Sequence, residues 1–148
     1  MNVVWKISLA LLLFGPVGCA STRQVVPLPD QGKNAQDSAL ARIYLIRPTM
    51  AGGAHSMKIT DNGKLVGHTG PDGFLCWERR PGAVSIVGEA NNIYRIDLTV
   101  AAGSVTYIRQ SMHEASGMFT VDNSLTLLGK TEGEELLAAC DPPDLEAP

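Results

Sequence analysis

Long apolar runs, aromatic side chains and clustered positive charge are all scarce in this chain of 148 residues. Its most apolar stretch, Ile7 to Ala20, stops short of the roughly 20 consecutive residues that a membrane-spanning helix needs. Aromatic residues make up only 5% of the sequence, too few for a base-stacking surface. The 12 lysines and arginines form no stripe, and 15 acidic residues leave a net charge of −3. Nucleic acid is therefore excluded as a partner. Also missing are a His-Glu-x-x-His pair, a Gly-x-Ser-x-Gly elbow and a phosphate-cradling glycine loop. The expectation is a protein without an active site, a cofactor or a small-molecule substrate.

What the chain does have begins at its start. Lys6 precedes the apolar run, Gly15-Pro16 breaks it, and small residues follow, which is the pattern of an export signal. Gly18-Cys19-Ala20 resembles the end of a bacterial lipoprotein signal. That resemblance implies lipidation of Cys19 as the new N-terminus, and Ala20 in place of Asp implies the periplasmic face of the outer membrane. Cleavage after Ala20 is the rival reading and gives a soluble periplasmic protein. A buried N-terminal helix is opposed by Gly15-Pro16, which would end it early. Removal of Lys6 with the signal leaves 11 basic against 15 acidic residues, a charge of −4.

Export also sorts the cysteines. With Cys19 taken by lipid, Cys76 and Cys140 remain in an oxidising compartment where disulfides persist, so a Cys76 to Cys140 bond is expected. The alternative is two buried thiols acting as small hydrophobes. Neither has a Cys-x-x-Cys partner or a neighbouring His to make it reactive.

After residues 1–19, Ser21 to Ala39 is polar and proline-containing with no apolar period, so residues 20–40 read as a flexible tether. Ala41 to Pro48 reads as a first strand. Asp61-Asn62-Gly63 between Ser56 to Thr60 and Lys64 to His68 is a strong hairpin signal, because Asn and Gly tolerate positive φ. Phe74 to Glu78 and Ala83 to Val87 follow turns at Gly70-Pro71-Asp72-Gly73 and Pro81-Gly82. Ile93 to Val100 alternates cleanly, with Tyr94, Ile96, Leu98 and Val100 opposite Arg95, Asp97 and Thr99. Ser104 to Gln110 gives another strand, while Phe119 to Val121 and Leu125 to Leu128 read as further strand of uncertain register. Thr131-Glu132-Gly133-Glu134 has the form of a capping box opening a short helix, which carries Leu136 and Cys140 on one face. These signals predict an all-β domain over residues 41–140, an antiparallel sandwich or partly closed barrel of about seven strands with a short C-terminal helix. Residues 141–148 read as a disordered tail.

Taken in order, Ala41 to Pro48, Lys58 to Gly67, Gly73-Phe74, Pro81-Gly82, and Ala102-Gly103 through Tyr107-Ile108-Arg109 resemble bacterial lipoproteins of domain-of-unknown-function family 2846. The resemblance spans roughly Ala41 to Arg109. It implies an exported, lipid-anchored β-domain, transthyretin-like by analogy, and supplies no function or catalytic residues. The expected role is a non-catalytic binding or structural module for another envelope protein. Strand edges and the Arg79-Arg80 turn are its candidate contact surfaces. The alternative is a periplasmic copper site built from His55, Met57, Met112 and His113, since imidazole and thioether ligands suit copper.

Overall fold

A computed structural model describes residues 20–35, 38–48, 55–114 and 120–147. Among the described residues ten strands run in chain order: β1 (Arg23–Gln24), β2 (Ala41–Arg47), β3 (Met57–Asp61), β4 (Lys64–Thr69), β5 (Gly73–Arg79), β6 (Gly82–Glu89), β7 (Ile93–Val100), β8 (Val105–Glu114), β9 (Val121–Leu128) and β10 (Asp144–Leu145). One helix, α1 (Lys130–Ala138), lies between β9 and β10. The strands form a sandwich of a six-stranded sheet, ordered β10-β1-β4-β3-β6-β7, and a four-stranded sheet, ordered β5-β2-β8-β9. The all-β sandwich with a short C-terminal helix is thus what the sequence predicted.

The pleat decides what lies between the sheets. In β2, Ala41, Ile43 and Leu45 face Ile59, Val66, Val84 and Ile86 of the other sheet, joined by Leu75, Trp77, Ile108 and Leu125. Each such Leu or Ile contributes about 1.5–3 kcal/mol by leaving water. The alternate residues Tyr44 and Ile46 point outward, yet they are buried too, because α1 and the N-terminal segment cover that face. A central strand buried on both sides is largely apolar, and β2, buried along its whole length, departs from this at Arg42 and Arg47. The predicted hairpin is present: Asn62 and Gly63 take φ of 47° and 80°, and Asp61 lies opposite Lys64.

Four expectations are corrected. First, the sheets are not wholly antiparallel. β2 runs parallel to β8, with Arg42 opposite Val105, and β1 runs parallel to β10. Second, residues 20–35 are not a flexible tether. β1 pairs with β4, and Gln24 is fully buried. Glycines make room for it: a Cβ on Gly67 would lie 2.3 Å from the Arg23 carbonyl, and one on Gly70 would lie 2.1 Å from the Ala20 carbonyl. A strand of two residues is too short to show a period, so the sequence pattern gave no sign of it. Third, residues 141–147 are not a disordered tail, with β10 pairing β1 and Asp141 bridging Gly73. Fourth, α1 begins two residues earlier than a capping box with Thr131 as N-cap implies. Gly129 is the N-cap, and no side chain caps the helix.

Candidate functional site

The outer face of the four-stranded sheet carries a floor of aromatic rings. Tyr44 on β2 and Tyr107 on β8 stand side by side in the parallel pair, their rings stacked 5.4 Å apart at 9°. Phe74 on β5 lies tilted 5.9 Å from Tyr44. Helix α1 seats on this floor at Gly133, where a Cβ would lie 2.3 Å from the Tyr107 ring. Only a bare backbone lets the helix come so close.

Opposite the helix, the N-terminal segment is strapped down by side chains of the same face. The Tyr44 hydroxyl donates to Gln31 Oε1 at 2.8 Å, and the Arg42 guanidinium donates to the carbonyls of Asp30 at 3.3 Å and Lys33 at 3.2 Å. Arg42 also pairs with Glu78 at 2.9 Å. Between strap and helix opens a cleft of about 480 Å³, lined among others by Lys33, Asn34, Arg42, Ser104, Lys130 and Glu134.

The ionisable groups around this cleft are held in their resting forms. Burial, reinforced by the nearby Cys76, pushes Tyr44 up to about 12. Burial also raises Tyr107 and the Cys76 thiol. Burial works against the charge of Arg42, but Glu78, Tyr44 and Cys76 together outweigh it and leave the guanidinium above its ordinary value. Protonated phenols and thiols beside an engaged guanidinium are poor nucleophiles but adequate hydrogen-bonding groups. The arrangement is suited to holding a ligand or a partner.

The residues singled out in the sequence are scattered. Arg79 is occupied within the fold: it pairs with Asp61, which also accepts from Trp77 Nε1 at 2.8 Å, and it donates to the Ala83 carbonyl at 3.2 Å. Of the Arg79-Arg80 turn only Arg80 is exposed, so Arg79 is a structural ion pair rather than a contact residue. Cys76 and Cys140 are free thiols, which corrects the expected disulfide. Both belong to the apolar layer beneath α1, where Cys76 accepts from Gln31 Nε2 at 3.6 Å. Burial, followed by the carboxylates of Asp72 and Asp141, pushes Cys140 up to about 11. Cys19 lies outside the described residues.

The four copper candidates do not converge. Met57 and Met112 are buried, whereas His55 and His113 are exposed. Alternation along β8 puts Met112 and His113 on opposite faces of the sheet. His113 Nε2 instead meets Ser124 Oγ of β9 at 3.0 Å. Asp122, directly across from His113, takes a bond from Asn91 Nδ2 at 3.3 Å. Among the described residues no three His, Cys, Asp or Glu side chains are grouped to hold a metal.

The sequence reading missed Gln24, Gln31, Arg42 and Tyr44 as a working set. One signal was visible: a charge, Arg42, inside a strand otherwise too apolar to be half-wetted. No protein-family model, curated protein or solved structure matches the chain.

Proposed function

We propose that the chain is an exported lipoprotein, anchored through an acylated Cys19 at the periplasmic face of the outer membrane. There it serves as a non-catalytic binding or structural module for another envelope component. The observation that carries this reading is the point where the chain joins its folded body. Ala20 already lies against Gly70, and Thr22 is buried, with its hydroxyl accepting from the Gly70 N–H at 2.8 Å. A lipid on the preceding residue would therefore hold the sandwich directly on the leaflet and fix which surfaces face the periplasm. Such a mounting suits a body that presents contact surfaces, and the resemblance to the lipoprotein family 2846 points the same way.

Mass spectrometry of the mature protein tests the anchor. The expected result is an N-terminal peptide beginning at acylated Cys19, with Cys19→Ser releasing the protein from membranes. An unmodified N-terminus at Ser21 would replace the anchor with a soluble periplasmic protein. Crosslinking in intact cells tests the binding role, and recovery of no specific partner over repeated trials would reject it.

A further inference from the structure

We infer that β7 is a self-pairing edge, through which two copies of this chain join antiparallel about a twofold axis at Ile96. This goes beyond the binding-module reading by adding a second copy of the chain as a partner, and it is independent of the lipid on Cys19.

β7 is the last strand of the six-stranded sheet and is hydrogen-bonded to β6 alone among the described residues. Its pairing with β6 runs without interruption from Ile93 to Val100. Edge strands that avoid association are usually shortened, bulged, interrupted by proline or given inward-pointing charges. β7 has none of these: it is eight residues long, and its core-side residues Tyr94, Ile96 and Leu98 are all uncharged. Ile93 is 75% exposed and Tyr94 39%.

The charge pattern selects a register. With the axis at Ile96, Arg95 of each copy lies opposite Asp97 of the other, giving two opposite-charge pairs on the outer face. On the inner face Ile96 meets its own counterpart, and each Tyr94 meets a Leu98. Moving the axis to residue 95 or 97 places Arg against Arg or Asp against Asp. Moving it to residue 94 or 98 leaves both charges without an opposite. Arg95 and Asp97 are exposed, and neither takes part in an ion pair among the described residues, so both are available. Opposite charges across a strand pair attract and like charges repel, so one register is favoured by the attraction and its neighbours are opposed.

Sedimentation of the full-length protein in detergent micelles tests the inference. The wild type is expected as a dimer. Arg95→Asp and Asp97→Arg, each turning two attractive pairs into repulsive ones, are expected to weaken it by about tenfold or more. The double variant R95D/D97R restores opposite charges and is expected to dimerise like the wild type, which also shows that neither change harms the fold. A monomeric wild type, or a dimer indifferent to the single reversals, overturns the inference. Crosslinking at β7 that returns a different protein in place of a second copy also overturns it, while leaving the binding-module reading intact.

Discussion

The two open sides of the sandwich are finished differently. On one side the edge strand β5 is closed by the chain itself. The side chain of Gln24, on β1 of the other sheet, acts as a short piece of strand: its Nε2 donates to the Cys76 carbonyl at 2.7 Å, and its Oε1 accepts from the Cys76 N–H at 2.9 Å. On the other side, among the described residues, hydrogen bonds link the β6–β7 turn to β9 near one end of the edges β7 and β9. Asn92 Oδ1 accepts from the Asn123 N–H at 2.7 Å, and Asn123 Nδ2 donates to the Gly88 carbonyl at 3.2 Å. Beyond this clamp β7 runs free. The difference shows that an edge is silenced where an amide side chain bonds the edge strand's own backbone, as Gln24 does on β5, and stays available where the amides bond backbone outside it, as Asn123 does at Gly88 of β6.

The largest expected effect comes from breaking the sealed side. Gln24→Ala leaves the buried N–H and C=O of Cys76 without partners and is expected to cost about 3 kcal/mol in urea unfolding. Next comes Gly70→Ala, whose methyl would press on the Ala20 backbone and lift the N-terminal segment. About 2 kcal/mol is expected, together with faster amide exchange at Cys76. Asn123→Ala attacks the other side and should cost only about 1.5 kcal/mol, because it takes a donor from one buried carbonyl, that of Gly88, where Gln24→Ala orphans both an N–H and a C=O. If Asn123→Ala cost as much as Gln24→Ala, the two sides would be equally sealed and the comparison would fail.

The smallest effect is alkaline. In the folded protein Cys140 titrates at about 11 against an ordinary 9.0, and Tyr44 at about 12 against 10.0. Between each pair of values the unfolded chain has lost a proton that the folded chain keeps, so stability falls as pH rises above about 9. Below that these groups contribute no pH dependence. Urea midpoints should therefore drop between about pH 8 and about pH 10.5, and drop less in Tyr44→Phe, which has no phenol to ionise.

Much of the sandwich was legible because its strands carry their own periods. Ile93 to Val100 alternates as a half-buried strand must, and Asn62-Gly63 could hardly be anything but a hairpin turn. The closing devices were not legible, for a physical reason. Gln24 lies in a polar segment ahead of Pro27 and Pro29, so it reads as linker, and what makes it structural is a strand fifty residues on. Gly70 looks like turn punctuation, although its missing side chain is what admits Ala20. The cysteines illustrate the same limit: compartment chemistry suggested a bond, while packing gave each thiol a place in the layer under α1. The outward side of β2 was likewise hidden, because Tyr44 in a strand looks like core whether it packs on one sheet or beneath a helix.

The parallel pairing of β2 with β8 bears on how the chain reaches this state. The central strand of the smaller sheet acquires its inner neighbour only after β3 through β7 have been made, since Arg42 waits for Val105. Contacts so distant in sequence impose a large loop-closure entropy before they return any stabilisation, which makes for slow folding. A polypeptide that completes its centre late remains extended for longer.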